Sequence, residues 1–515
     1  MRRERGRAAI LSRDNDLGAG VPEVAEGPCH RLIPVNVVLA CSPRVGLDGK
    51  SVNVQLATRH LSAGGVKEAT AWRVNRQAVR DADVSCLLVG ITAQCQAINS
   101  GARNNMIRRT FLSMWALVAS VVAACGPLCE NGLADPPRFV QDRFAIGFWV
   151  DPPADANMDR HYADLAAAHF TLVIGGFGAG SPEAVDRQIA LCENHGLRAI
   201  VSDAGREPEQ LPESSAVWGY RLRDEPPAGE FAALQKSVKT LREARPGRLA
   251  YINLFPNYAS PSQLGATDYD AYVNSFVETV DPDVLSMDHY PMMTPDEDGR
   301  QEYCDNLAVM RRVSQARKIP FWNYFNSMPF GPHGDPTEAQ LKWQIYTSMA
   351  YGAKGVLYFC YWTPRGGEFP KGGAIITAEG VKTRHYGQAQ RINLAVKNLG
   401  ATLMKLTSSE VRRVEPQADP AEILKDTPIQ QLTSGDYLVG VFQHADGRRA
   451  VLLNNYSFAY TAWPTVEFDV PLEKVREVCP QTGKEIAVLD DSPDMPGLQT
   501  SLDAGEGRLF LLATE

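Results

Sequence analysis

Residues 336–362 read PTEAQLKWQIYTSMAYGAKGVLYFCYW, a helical segment followed by a short apolar strand. In the first half, apolar side chains recur at helical spacing, as at Leu341, Ile345 and Met349, which indicates a helix buried along one face. The second half, 355–362, is an apolar and aromatic run of strand length. A helix and a strand in alternation are typical of parallel strand pairing.

The same unit occurs throughout the chain from Phe144 onward. Eight strands are predicted at 144–150, 171–177, 198–204, 217–226, 249–256, 284–291, 320–328 and 355–362, with helices at 158–168, 183–195, 229–244, 268–280, 300–317 and 337–351. An open doubly wound sheet usually has five or six strands and a glycine-rich phosphate loop after the first, and neither is present. The pattern therefore predicts an α/β fold, a (β/α)8 TIM barrel over residues 140–400.

A different pattern follows residue 400. Short alternating segments appear, DYLVGVFQH, RAVLLNNYS, TVEFDVP and GRLFLLATE, joined by Gly, Pro, Asp and Asn turns. Alternation with period two is typical of half-buried antiparallel strands. We expect a small C-terminal β-sandwich over residues 401–515.

Composition and cysteine spacing exclude several functions. The 515 residues carry a formal net charge of -8, which argues against nucleic acid as a partner because that would need a basic face. The ten cysteines show no paired CxxC motifs and no Cys/His zinc spacing, so we expect no metal and no cofactor. Cys192, Cys304 and Cys360 lie within apolar patterns and are predicted to be buried small hydrophobic residues.

Residues 106–125, MIRRTFLSMWALVASVVAAC, have the pattern of an export signal. Arg108 and Arg109 precede an apolar stretch that is short for a membrane span and ends in Ala-Ala-Cys. This ending resembles a bacterial lipobox, which predicts lipidation of Cys125 and a cell-envelope lipoprotein held to the membrane by its lipid anchor only, at the periplasmic or outer-membrane face. The alternative is a plain secretory signal cleaved near Ala134.

An export signal cannot act behind a polar leader of about a hundred residues, yet residues 1–105 precede this one. They are rich in Arg and Gly and have no clear periodicity. We interpret 1–105 as upstream sequence rather than a folded domain, with translation beginning at Met106. The competing interpretation is a small N-terminal domain followed by a transmembrane anchor.

Barrel enzymes place their chemistry at the carboxyl ends of the strands. Amides, carboxylates and aromatic rings together suit a sugar, whose hydroxyls need donors and acceptors and whose C–H face stacks on rings. The candidate substrate-binding residues at these ends are Trp149, Asp203, Asn253, His289, Tyr290, Asn323, Asn326, Tyr358, Tyr361 and Trp362.

The sharpest local signal is GYRLRDEP, residues 219–226, in which Asp224 and Glu225 end an apolar strand before Pro226. Both carboxylates can reach the barrel mouth if the strand frays there. A glutamate near aromatic rings and a second carboxylate has a raised proton affinity, which a general acid needs. Glu225 is therefore the predicted catalytic acid, and Arg223 is expected to pair with Asp224.

This segment resembles the barrels of glycoside hydrolase clan A, in which the acid/base Glu follows an Asn at the end of strand four; here Asp224 takes the Asn place. Residues 336–362 resemble the last helix and strand of family 42-like and related secreted barrels. The likeness covers roughly residues 140–400 and implies a glycosidase. Clan A also requires a Glu at the end of strand seven, where PFWNYFNSM has no carboxylate.

Three alternatives account for the missing carboxylate. Asp288 on strand six supplies it, with retention or inversion following the carboxyl separation. Alternatively, Asp224 and Glu225 act as the Asp–Glu pair of families 20 and 123 does, with the substrate's acetamide as nucleophile. In the third alternative the barrel is catalytically degenerate and binds carbohydrate without cleaving it. A serine nucleophile has no GxSxG elbow here, and metal-ligand motifs are absent. The favoured function is glycoside hydrolysis of an oligo- or polysaccharide.

Overall fold

The computed structural model describes residues 56–58, 70–72, 135–294, 297–367, 369 and 373–513. The chain divides into two compact units, Met1–Gly132 and Leu133–Glu515. In the first unit, Leu56–Thr58 and Thr70–Trp72 pair as short antiparallel strands. The predicted export signal and Cys125 lie outside the described residues.

Eight parallel strands form the central sheet of the second unit. They are β1 Ala145–Phe148, β2 Leu172–Ile174, β3 Arg198–Val201, β4 Val217–Asp224, β5 Leu249–Leu254, β6 Leu285–Asp288, β7 Phe321–Asn326 and β8 Gly355–Phe359. The ladder runs from β2 through β8 in order, and β8 pairs with β1. Each lies within its predicted segment.

The sheet closes on itself between β1 and β2. Thr171 donates its backbone N–H to the Ile146 carbonyl over 2.9 Å, and the Ile146 N–H donates to the Thr171 hydroxyl over 2.8 Å. These bonds join the two ends of the ladder, so no sheet edge is left open. The predicted (β/α)8 barrel is confirmed.

Helices follow seven of the eight strands. They are α1 Met158–Ala167, α2 Pro182–His195, α3 Phe231–Ala244, the short α4 Pro261–Leu264, α5 Tyr269–Val280, α6 Arg300–Arg317, α7 Glu338–Ala350 and α8 Arg384–Leu403. Between β3 and β4 the described chain forms only a 3₁₀ turn, Pro208–Gln210. The last helix, α8, was not among the predicted helices.

Alternation along each strand separates two buried layers. One set of side chains fills the barrel interior, including Trp218, Tyr251, Trp322 and Tyr324. The other set faces the surrounding helices and joins a larger apolar core with them. Because both faces of a parallel strand are buried, its sequence is apolar throughout.

Two antiparallel sheets follow the barrel. Their strands are β9 Leu406–Val414, β10 Ile429–Leu432, β11 Tyr437–His444, β12 Arg449–Asn455, β13 Thr465–Phe468, β14 Val475–Val478, β15 Glu485–Ala487, β16 Leu498–Gln499 and β17 Gly507–Leu512. The six-stranded sheet has the order β9-β11-β12-β17-β14-β15, and the three-stranded sheet has the order β10-β13-β16. Side chains of both sheets form one core, as expected for the predicted sandwich.

The six-stranded sheet also packs on the barrel helices. Leu438 and Phe442 of β11 belong to the barrel's apolar core, whereas Val439 between them belongs to the core of the sandwich. Asn454 donates to the Tyr346 carbonyl of α7 over 2.8 Å. Barrel and sheets therefore form one compact unit, and the predicted domain boundary at residue 401 stays a prediction.

The predicted cysteines are buried. Cys192, Cys304 and Cys360 are each at most 6 % exposed and form no disulfide.

Among the helices of the described residues, none combines the length and the apolar character needed to cross a membrane.

Candidate active site

A β-bulge on β4 determines which side chains reach the mouth of the barrel. Arg221 pairs with Tyr251 and Asp224 with Asn253, but the register shifts by one residue between Arg221 and Arg223. Simple alternation would place residues three apart on opposite faces. The extra residue, Leu222, lets Arg221 and Asp224 both face the barrel interior.

Glu225 reaches the same mouth through an unusual backbone conformation. Its φ is 46°, in the left-handed region, and its N–H donates to the Asn253 carbonyl over 2.8 Å. The following segment is anchored by Tyr272, whose hydroxyl donates to the Pro226 carbonyl over 2.7 Å. A non-glycine residue held at positive φ marks a position that the surrounding structure fixes.

Asn253 lies between two of the predicted catalytic carboxylates. Its side-chain N–H₂ donates to Asp288 over 2.9 Å and to Asp224 over 3.3 Å, while its carbonyl oxygen accepts from Ser286 over 2.9 Å. The Tyr251 hydroxyl lies 2.9 Å from the Ser286 hydroxyl and extends this buried network. Asp224, Glu225 and Asp288, drawn from two strands, therefore form one cluster.

Burial keeps protons on this cluster. It raises the pKa of Glu225 to about 7, with a further contribution from the charge of Asp224 and an opposing one from a hydrogen bond with Asp288. Burial, followed by the charges of Glu225 and Asp224, raises the pKa of Asp288 well above its ordinary range. Burial also raises the pKa of Asp224, against the lowering effects of Asn253, Arg221 and Arg223. The ionised forms of Glu225 and Asp288 thus disfavour each other, and the pair holds its protons more tightly than two separate carboxyl groups would.

The two arginines of β4 have different surroundings. Arg223 faces outward and binds Glu230 through two hydrogen bonds of 2.8 and 3.0 Å, so its predicted pairing with Asp224 is wrong. Arg221 lies over the rings of Trp149 and Phe177, at 5.5 and 4.7 Å from their centroids. Arg221 thus enters the mouth as a cation supported by aromatic faces.

Several aromatic side chains line the mouth of the barrel. Tyr290 packs against Phe330 and Phe359, with ring centroids 5.1 Å away in each pair, and Phe330 also contacts His333. Trp149 meets Tyr324 edge to face at 5.6 Å. Of the predicted platforms, Trp149 and Tyr290 therefore border the site.

His289 is buried beside the cluster as a neutral ring. The Asn306 side-chain oxygen accepts from the Asn257 backbone N–H over 3.0 Å, which identifies that atom as oxygen, and lies 3.0 Å from His289 Nδ1. Nδ1 therefore carries the proton, and Nε2 is an acceptor. Burial lowers the pKa of His289 to about 4. The exposed ring of Tyr258 covers it at 5.0 Å.

Three predicted substrate-binding residues face the helices instead of the mouth. Asn323 donates to the Tyr303 hydroxyl over 2.6 Å, and the Tyr358 hydroxyl donates to Asn393 of α8 over 2.9 Å. The ring of Tyr361 packs on Phe148 at 4.8 Å. All three are at most 1 % exposed, so their predicted contact with substrate is corrected to a packing role.

Three other predicted substrate-binding residues lie near strand ends but make their contacts elsewhere in the protein. Asn326, at the end of β7, binds the backbone of Met292 in both directions, at 3.2 and 3.5 Å. Asp203 is exposed and accepts from Gly205 in its own turn over 3.1 Å. Trp362 lines a separate cavity of about 820 Å³, together with residues from 153–164 and 378–382 and Arg365. Substrate contact by these residues stays a prediction.

Sequence reasoning missed Arg221, Phe177, Phe359 and Tyr258. One usable signal was present, since an arginine inside a buried strand needs a partner or a functional role. The aromatic residues could not be distinguished from ordinary core residues by sequence alone.

Several solved structures are similar to this chain. A GH42 β-galactosidase from G. stearothermophilus gives a TM-score of 0.49 at 10 % identity, over 72 % of this chain and 98 % of that one. A β-galactosidase from Bacillus circulans sp. alkalophilus gives 0.47 at 9 % identity, over 72 % and 99 %. The β-galactosidase from the psychrophilic Marinomonas ef1 gives 0.38 at 12 % identity, over 50 % of this chain and 60 % of that one.

The first of these structures belongs to glycoside hydrolase family 42, which residues 336–362 resemble. No protein-family model matches the chain, and no curated protein matches it. The case for a function therefore rests on the residues of the site.

Proposed function

We propose that this chain is a glycoside hydrolase in which Glu225 is the general acid and base. The observation that carries this proposal is the cluster of buried Asp288 with partly buried Asp224 and Glu225 at the carboxyl end of the barrel, with the pKa of Glu225 raised to about 7. A group with that pKa holds a proton near neutral pH and can still release it. Carboxyl groups held in different environments are the usual basis of glycosidic bond cleavage.

The second catalytic carboxylate is assigned to Asp224. Retaining glycosidases separate their two carboxyl groups by about 5 Å and inverting ones by roughly 6.5–9.5 Å. Burial and the charges of Glu225 and Asp224 disfavour the ionised form of Asp288, which a second catalytic carboxylate needs. Asp224 instead accepts from Asn253, and the neighbouring Arg221 and Arg223 favour its ionised form. Asp288 then tunes the proton affinity of Glu225.

In the proposed reaction, Glu225 gives its proton to the glycosidic oxygen as the bond from that oxygen to the anomeric carbon breaks. The leaving sugar departs as an alcohol. The Asp224 carboxylate faces the positive charge that develops at the anomeric carbon. Water then supplies the hydroxyl group of the product, and its proton returns to Glu225.

Leaving-group dependence gives the sharpest test. The full-length chain is assayed on a panel of 4-methylphenyl, 4-nitrophenyl and 2,4-dinitrophenyl glycosides of both anomeric series. We expect Glu225→Gln to lower kcat/KM at least about a hundredfold on the poorest leaving group and far less on dinitrophenyl glycosides, which need no protonation. Asp224→Asn should be slow on all three. Glu243→Gln, on an exposed position of α3, is the matched control.

A second candidate function is carbohydrate binding without cleavage. It is favoured by Asn326, because the strand-seven position holds an amide engaged with the backbone of Met292 instead of a carboxylate. A wild-type chain that binds oligosaccharides but cleaves no member of the panel would favour this function. Full activity of Glu225→Gln on every leaving group would contradict the catalytic assignment.

We also propose that the chain is exported and lipid-anchored through Cys125, on the basis of the segment ending in VAAC. Expression of residues 106–515 in a bacterium with labelled palmitate tests this, because the signal is expected to act only when translation begins at Met106. Label in the wild type that is lost in Cys125→Ala supports the anchor. Release of unlabelled protein from the cell by both chains would favour the secretory alternative.

A further inference from the structure

The Arg221 guanidinium enters the barrel mouth. In the part of the chain that the structure describes, it has no hydrogen-bond acceptor and no ion-pair partner. No carboxylate there lies within ion-pair distance of it, and no described acceptor binds its N–H groups. Arg223, two residues away on the same strand, is by contrast fully engaged with Glu230. Arg221 therefore presents a charged donor set toward the space that a substrate would occupy.

This position is built into the surrounding structure. Trp149 and Phe177 flank the guanidinium, and a side chain at Gly176 would meet Nη2 at 2.7 Å, so glycine leaves the room that the cation needs. The loop that carries Phe177 is in turn fixed by Asp151, which accepts from the Phe177 and Gly178 N–H groups over 2.9 and 2.8 Å. The aromatic rings thus pack on the guanidinium plane of Arg221, and the N–H groups at the edge of that plane stay free.

The free edge of a guanidinium recognises one kind of group best. Its N–H groups lie in a rigid plane and match the two oxygens of a carboxylate or sulfate, whereas a neutral hydroxyl uses only one of them. We propose that Arg221 binds an anionic oxygen group of the substrate, so that the site takes an acidic sugar bearing a carboxylate or a sulfate ester. This inference rests on the proposed function and names the substrate class for the same site.

The neighbouring acids are compatible with an anionic substrate. Because burial and their mutual repulsion raise the pKa values of Glu225 and Asp288, the cluster carries less negative charge than three free carboxylates would. In a hexuronic acid, the carbon that bears the carboxylate and the anomeric carbon lie on either side of the ring oxygen. The anion can therefore meet Arg221 while the anomeric carbon faces Glu225 and Asp224.

Matched substrate pairs test this on the full-length chain. Each 4-nitrophenyl hexoside is compared with its hexuronide, and a 6-sulfated hexoside forms a third arm. We expect the wild type to prefer an anionic substrate. Arg221→Gln should lower the ratio of kcat/KM for the anionic to the neutral substrate at least about tenfold, as expected for a lost charge-assisted hydrogen bond. Arg221→Lys should retain part of the preference, and Lys236→Gln, which removes an exposed cation on α3, is the control.

The arms separate the outcomes. A preference for the hexuronide identifies a carboxylate, and a preference for the sulfated sugar identifies a sulfate ester. If glycosides are cleaved and Arg221→Gln leaves the ratio unchanged, the anion site is overturned while the proposed hydrolase stands. If no glycoside is cleaved, the hydrolase fails, and titration of tryptophan fluorescence with oligogalacturonate decides: binding weakened by Arg221→Gln supports the anion site, and equal binding overturns it.

Discussion

The side-chain amide of Asn253 donates to the carboxylate of Asp288 over 2.9 Å. The same N–H₂ group reaches Asp224, and the amide oxygen is taken by Ser286. Asn253 therefore positions the two carboxylates, and its predicted contact with substrate stays a prediction.

Asn253→Ala should lower kcat about tenfold or more with a smaller change in KM. The hydrogen bonds from Asn253 lower the pKa values of Asp224 and Asp288, so their loss should move the acidic limb of the kcat profile to higher pH. The profile is measured from pH 4 to 9. Asn274→Ala, which removes an amide bound to the backbone on α5, is the control. A higher KM with an unmoved profile would indicate substrate contact instead.

The basic limb of the kcat/KM profile should lie near pH 7. Glu225 must be protonated to act as an acid, so activity is present below its pKa and is lost as pH rises through about 7. Steady-state rates on a 4-methylphenyl glycoside measure this limb. The limb should disappear in Glu225→Gln, and its persistence there would assign it to another group.

Glu225 should also make stability depend on pH. Its pKa rises from 4.5 unfolded to about 7 folded, so the folded state binds more protons between these values and stability falls as pH rises. This loss should be about 3 kcal/mol. Relative to the wild type, Glu225→Gln should gain this amount between pH 4 and pH 8. Urea unfolding at both pH values measures the difference, and an equal difference at the two would contradict it.

Asp151→Asn should destabilise the barrel by about 3 kcal/mol. The buried carboxylate accepts three backbone N–H groups and the Gln188 amide, and an asparagine would place its own N–H₂ against these donors. Chemical denaturation measures the change in the free energy of unfolding. Asp494→Asn, at an exposed position whose side chain makes no hydrogen bond within the described residues, should have little effect.

Gly440→Ala should weaken the packing of the six-stranded sheet on α7. A Cβ at this position would lie 2.7 Å from the Ala350 carbonyl oxygen, which cannot move freely. We expect a loss of about 1–3 kcal/mol, as for other overpacked cores. Thermal unfolding checks this, with Gly229→Ala, which meets no neighbouring atom, as the control.

The architecture could be predicted from the sequence because it follows from the lengths of the apolar segments and from the spacing of their apolar residues. All eight barrel strands lie in the predicted segments. The helix Arg300–Arg317 begins and ends at the predicted residues. The eighth helix, Arg384–Leu403, was missed because its buried face mixes apolar residues with His385, Asn393 and Gly400.

The directions of side chains could not be predicted in the same way. On a strand buried on both faces there is no polar alternation to show which residues point inward. Tyr324 and Asn326 of β7 face the interior, and Asn323 and Phe325 face the helices, yet the sequence FWNYFN does not show this difference.

The bulge at Leu222 determines which charged residues of β4 face the mouth of the barrel. If β4 kept Leu222 but paired with β5 without the bulge, Arg223 and not Asp224 would lie opposite Asn253 and face the interior. The register of this strand, as well as the identity of its residues, therefore sets the charge at the mouth of the barrel.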